Sequence, residues 1–70
     1  MIDLKELENR FTYHAPKDDQ PEKYERVREI AHEYAVELSD LCPESRELSL
    51  ALTHLDAVVF YANAAIARRS

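Results

Sequence analysis

The chain has 70 residues, sets 14 acidic side chains against 9 basic ones, and contains one cysteine and no glycine. A chain this short makes one domain at most, with a core too small to supply much stability by itself, so a disulfide, a metal or association with other copies has to help. The lone Cys42 excludes an internal bridge, and the net charge of −5 excludes a general DNA or RNA binder, which needs a cationic field over many phosphates.

Metal is disfavoured as well. His14, His32 and His54 show no pairing at the i, i+4 spacing that puts two imidazoles on one helical face, and no second cysteine joins them. Oligomerisation remains. A small anionic ligand is still compatible with the composition, because it needs only a local cluster of arginine and lysine. A single thiol fits a reducing, cytoplasmic setting. The N-terminus "MIDLKELENR" is charged and amphipathic, with no apolar run of secretory length. The longest apolar stretch, Ala57 to Ala67, is interrupted by Asn63 and is about half the ~20 residues that a bilayer requires. The expectation is a soluble intracellular protein with no membrane span, folded as one helical domain over residues 1–70.

The absence of glycine removes the usual residue for turns with positive φ, which disfavours hairpins of strands and leaves helix as the default. A first, short helix is predicted from about Leu4 to Arg10, with Asp3 as N-cap and Glu6 in a capping-box-like position. A second opens at Pro21, preceded by Asp19 or Gln20, and runs to about Leu41. Its apolar stripe is Tyr24, Val27, Ala31, Tyr34, Leu38 and Leu41, at alternating steps of three and four. A third helix starts near Pro43 or Glu44 and reaches about Arg68, with Leu48, Leu52, Leu55, Val59, Ala62 and Ile66 as the matching stripe. The short link "LCPES" predicts that the two long helices pair antiparallel as a hairpin.

The third helix has more apolar surface than one partner covers, since Leu50, Ala51, Val58, Tyr61, Ala64 and Ala65 extend around its sides. The short N-terminal helix could cover some of it; symmetric copies of the chain are the stronger expectation. The fold class is therefore all-α, a short N-terminal helix followed by a long antiparallel helical hairpin, assembled as a homo-oligomer.

Catalysis finds little support in the residues. There is no Ser, His and Asp arrangement, no glycine-rich phosphate loop and no zinc motif. Glu25, Glu29, Glu33 and Glu37 form an i, i+4 row beside basic residues, the pattern of a solvated face. His54 and Asp56, two apart on a helix, point to different faces. No catalytic residue, cofactor or metal is expected.

The connector "RFTYHAPKDDQ" is different in kind. Phe11 and Tyr13 offer flat faces, Thr12 a hydroxyl, and Arg10, His14 and Lys17 positive charge. Stacking beside cations can hold a nucleotide without a base-reading groove; the same aromatics can equally staple the connector to the hairpin while the charges face water. At the C-terminus, Asn63 interrupts an apolar run and Arg68 with Arg69 closes the helix, where arginines also complement the helix dipole. Arg46, Ser49 and Thr53 form a basic and hydroxyl row that can bind phosphate or simply be solvated.

The strings "NRFTYHAP", "YERVREIA", "SRELSLALT" and "YANAAIAR" together cover nearly the whole chain and resemble a phage-encoded family, the anti-CBASS type 2 cyclic oligonucleotide sponges. The resemblance implies a small helical hexamer. It implies binding of cyclic dinucleotides such as cyclic GMP-AMP between protomers and of cyclic trinucleotides around three-fold axes, without cleavage, so that host CBASS antiphage signalling is blocked. On that resemblance Tyr13 is the base-stacking residue and Arg28 the phosphate contact, where the family often has lysine; Phe11, His14 and Lys17 complete the dinucleotide set. Ile30 stands where the family often has a hydroxyl, so part of that contact is either absent or taken over by Thr12. The trinucleotide set is Arg10, Thr12, Asn63 and Arg68. The competing expectation is a helical hairpin that docks on or inhibits a protein partner through its apolar third helix and has no nucleotide ligand.

Overall fold

The computed structural model describes residues 3–70, which form three helices, α1 (Leu4–Phe11), α2 (Gln20–Leu41) and α3 (Arg46–Arg69). No strand occurs among the described residues.

The first helix begins as its sequence predicts. Asp3 is extended and its carboxylate accepts from the Lys5 amide at 3.2 Å, satisfying one of the donors a helix start leaves unpaired. The second half of the capping box does not form, because the Glu6 carboxylate is taken by Arg69 at the far end of the chain. Two donors of a guanidinium outcompete one exposed backbone amide that water can serve.

The start of α2 lies at Gln20 with Pro21 in its first turn. Asp19 occupies the N-cap position but makes no side-chain cap; its carboxylate lies 3.6 Å from the Lys23 ammonium instead. Before it, Asp18 takes φ = 49°, a left-handed conformation that aspartate tolerates better than most residues and that this glycine-free chain must give to something else.

The start of α3 differs from expectation. Pro43 and Glu44 lie in the link, and the helix begins at Arg46 because Ser45 is the better cap. The Ser45 hydroxyl accepts from the Leu48 amide at 3.2 Å and donates to the Pro43 carbonyl at 3.0 Å, so one side chain both opens the helix and closes the turn.

The two long helices pack as an antiparallel hairpin, with Gln20 at the start of α2 bonded to Ile66 and Ser70 at the end of α3. All six residues of the expected α3 stripe are half-buried. On α2, Tyr24, Val27, Ala31 and Leu38 are half-buried, but Tyr34 and Leu41 are exposed, and Ala35 takes the place expected of Tyr34. A step of four then three from Ala31 is as helical as three then four, and alanine lets α3 approach closely.

No apolar side chain among the described residues is buried, and α1 does not provide the missing cover, since its Leu4 and Phe11 are 79% and 82% exposed. The radius of gyration is 15.4 Å, against roughly 11 Å for a compact chain of this length. The accessible area is 5912 Å², against about 4,500 Å² for a folded monomer of this mass. Leu4, Phe11, Tyr13, Leu41, Phe60 and Tyr61 are among the large apolar side chains left more than three-fifths exposed. An open groove of about 420 Å³ runs along the hairpin, walled by Val27, Ile30 and Tyr34 of α2 and Leu55, Val58 and Ala62 of α3. At about 25 cal/mol per Å², every 100 Å² of such surface withdrawn from water would be worth about 2.5 kcal/mol.

By length and composition α3 suffices to cross a membrane, with a mean hydropathy of 1.4 over its most apolar window. The expectation of no membrane span rests on the run from Ala57 to Ala67 alone, whereas the Leu48 to Ala51 turn extends the apolar character of the helix beyond it. The helix nevertheless carries Arg46, Glu47, His54, Asp56, Arg68 and Arg69, and one of its stripes is already packed on α2.

Candidate functional site

The last turn of a helix leaves carbonyls without partners, and in this molecule the C-terminal turn of α3 is where the N-terminal third of the chain is tied down. The Asn9 side-chain amide donates to the Arg68 carbonyl at 3.2 Å. The Gln20 amide donates to the carbonyls of Ile66 at 3.1 Å and Ser70 at 3.0 Å. The Arg68 guanidinium reaches the other way and donates to the Arg10 carbonyl, in the last turn of α1, at 3.1 Å. Arg69 grips the Glu6 carboxylate with two bonds of 2.9 and 2.7 Å. These ties hold the connector, residues 12–19, as an exposed lip at the end of the hairpin.

The lip carries the aromatic pair expected to bind. Phe11 and Tyr13 are more than four-fifths exposed, so neither staples the connector to the hairpin. His14 does part of that task instead: its Nε2 lies 2.7 Å from the Asn9 carbonyl, to which a protonated ring nitrogen donates. Thr12 is exposed and is the C-cap residue of α1. The Lys17 side chain is exposed while its backbone amide donates to Gln20 Oε1 at 3.2 Å.

Of the four residues named for the trinucleotide set, Arg68 is joined to Arg10 by its bond to the Arg10 carbonyl, and Thr12 follows two residues later in the chain. Asn63 lies a turn and a half earlier on α3, and its Oδ1 is buried without a hydrogen-bond partner. Arg28 lies on an exposed position of α2, two turns beyond its start, and no hydrogen bond or ion pair among the described residues joins it to the lip. In the row of Arg46, Ser49 and Thr53, the Thr53 hydroxyl bonds back to the Ser49 carbonyl at 3.0 Å.

The charges near the lip are unequal in what they have left to offer. Arg69 is neutralised by Glu6, and Arg10 lies 3.9 Å from the same carboxylate. Lys17, Arg28 and Arg68 form no ion pair among the described residues, which leaves their charge available to an anion.

The Arg69 hydrogen bonds hold the Glu6 carboxyl below its ordinary value of 4.5; some desolvation opposes this, and the charges of Arg69, Arg10 and Arg68 reinforce it. A folded-state value below the unfolded one means that the clasp contributes above the ordinary carboxylate range and is lost as pH falls through the depressed value. Acidification from about 5.5 to about 3 should therefore lower the protection of the α1 amides, taken relative to the intrinsic exchange rate at each pH, before that of the hairpin. In Glu6→Gln, α1 should be weakly protected at both ends of that range; a wild-type α1 whose protection is indifferent to pH would show that the clasp does not hold it.

Sequence reasoning missed the residues that shape this end of the molecule, Glu6, Asn9, Gln20 and Arg69. Their partners lie 46 to 63 positions away, and only a basic C-terminus facing an acidic first turn gave any signal.

A family model described as "Acb2/Tad1, hairpin domain" matches residues 3–67, from the N-cap of α1 to the last turn of α3. No curated protein and no solved structure matches the chain. A match over nearly the whole length, on a chain that folds as a helical hairpin, means that this protein belongs to the Acb2/Tad1 hairpin-domain family, the anti-CBASS type 2 sponge family.

Proposed function

We propose that the chain sequesters cyclic oligonucleotide second messengers, cyclic dinucleotides such as cyclic GMP-AMP and cyclic trinucleotides, by tight binding without cleavage. In the cytoplasm of an infected host cell this removes the signal before the CBASS effector responds. The observation that carries the reading is the exposed pair Phe11 and Tyr13, more than four-fifths open on a lip fixed beside cations that have no carboxylate partner. Exposed aromatic faces are costly to leave in water and suit bases, which stack on them with little regard to sequence.

Family membership supports a binding rather than a catalytic role. The uncovered groove along the hairpin supports assembly, and a hexamer would place one chain's lip against a neighbour, where Arg28 of the neighbouring copy could meet the phosphate that Tyr13's own chain leaves uncovered. Cyclic trinucleotides would sit where three copies of Arg10, Thr12, Asn63 and Arg68 surround three phosphates, and the orphaned Asn63 carbonyl would gain a donor there.

Calorimetric titration with a panel of cyclic di- and trinucleotides tests the reading. Saturable binding is expected, with the ligand recovered intact after the protein is denatured by heat. Flat traces from a folded assembly would leave the apolar groove as the working surface and favour the protein-docking hairpin. Linear products would mean that the chain hydrolyses its ligand.

A further inference from the structure

Gln20 is the only buried residue among those described, 3% exposed where no described apolar side chain is buried. It stands at the junction of the connector and α2, and its amide bonds in both directions. Oε1 accepts from the Lys17 backbone amide, the last stretch of the lip, at 3.2 Å. Nε2 gives its hydrogens to the carbonyls of Ile66 and Ser70 at the end of α3, at 3.1 and 3.0 Å, the Ile66 carbonyl also accepting from the Ser70 hydroxyl at 2.8 Å. A single planar group supplies one acceptor and two donors, which no other side chain of this length does. Glutamate would set a carboxylate against two carbonyls, and leucine would fill the space and bond to nothing.

The far end of the lip is tied to the same place. Asn9 donates to the Arg68 carbonyl and accepts, through its own backbone, from His14. Between these two anchors Phe11 ends α1 and Tyr13 lies outside any helix, and both rings are more than four-fifths exposed. The shape of the segment that carries the rings is thus set from its ends.

We propose that Gln20 is a positioning residue for ligand binding: it hooks the connector to the C-terminal turn of α3 and thereby holds the Tyr13 ring ready to stack. The inference rests on the nucleotide-binding reading above. Holding a loop in its bound shape lowers the ordering cost that binding otherwise carries, so the hook acts on affinity without touching the ligand.

The test compares wild type with Gln20→Leu, which keeps the site filled and removes all the bonds, and with Gln20→Asn, which keeps the amide but is one methylene too short to reach both sides. Affinity for cyclic GMP-AMP is read by calorimetry, assembly mass by sedimentation, and the tyrosine ring resonances by NMR without ligand. The expected result is a loss of about tenfold or more in affinity for Gln20→Leu and a smaller loss for Gln20→Asn. Mass should stay unchanged, and the Tyr13 resonances should shift or broaden while those of Tyr24, packed within the hairpin, stay in place. A merely structural role for Gln20 would disturb Tyr24 and the mass along with Tyr13. Equal affinity in wild type and both variants would overturn the positioning role and leave the binding function standing. Absence of binding by wild type to any member of the panel would overturn both.

Discussion

Replacing Tyr13 by alanine should weaken cyclic dinucleotide binding about tenfold or more, the loss of one base stack worth roughly 1–3 kcal/mol. The substitution is unusually clean in this molecule. Tyr13 is 83% exposed and outside any helix, so its ring contributes almost nothing to the fold that could be confused with binding. Unfolding by denaturant should show the same midpoint for wild type and Tyr13→Ala. Calorimetry should show the affinity falling through the enthalpy of stacking, with assembly mass unaltered. A second substitution sharpens the reading, because Phe11 is exposed to the same extent but lies in the last turn of α1. If Phe11→Ala weakens binding and Tyr13→Ala does not, the stacking ring has been misassigned between neighbours on the same lip; if neither does, the lip is not the site.

The architecture was legible in the sequence because it depends on local rules. Stripes at steps of three and four wind onto one face whatever lies elsewhere, and all six stripe residues of α3 do face the partner helix. The failures have a shared cause. Choosing Tyr34 over Ala35 follows from strict alternation of steps of three and four, whereas the contact between α2 and α3 selects the residue small enough to let the backbones close. Starting α3 at Pro43 follows from proline's preference for a first turn, which Ser45 overrides by capping two residues later. Pairing Glu6 with its own helix start ignores Arg69, 63 positions away. Local preference is visible in one dimension; competition from a distant group is not.

The lip illustrates the same division. Its composition of aromatic, hydroxyl and basic residues could be read directly, and the exposure of Phe11 and Tyr13 shows that neither ring packs on its own hairpin. What fixes the lip could not be read. A glutamine before a proline at a helix start looks like an ordinary polar turn residue. Gln20 is buried only because α3 ends with its carbonyls beside it, and that proximity exists only once the hairpin has closed. Arg28 marks the limit of reasoning on one chain: its position on an open face of α2 makes sense as part of a nucleotide site only if another copy supplies the lip.

That dependence on other copies is open to a decisive substitution. Val58 is 59% exposed in the single chain and walls the apolar groove between α2 and α3. Were the lone hairpin the working unit, Val58→Asp would place a charge in water on an exposed helix face, an effect of a few tenths of a kcal/mol. Within an assembly that covers the groove, the same carboxylate would be buried without a partner, at a cost of several kcal/mol per site repeated in every copy. Sedimentation should therefore show wild type as a multimer and Val58→Asp as a much lighter species at the same concentration. Because the hairpin buries no apolar side chain by itself, the lighter species should also lose helical signal on dilution, a coupling of folding to association. Cyclic dinucleotide binding should disappear with the assembly, although Val58 is remote from the connector in sequence. Tyr13→Ala, by contrast, loses ligand and keeps its mass, so the pair of variants separates the ring that binds from the seam that builds the pocket. A wild-type chain that sediments as a monomer, or a Val58→Asp assembly of undiminished mass, would remove the groove from the interface and with it the account of why so small a chain folds.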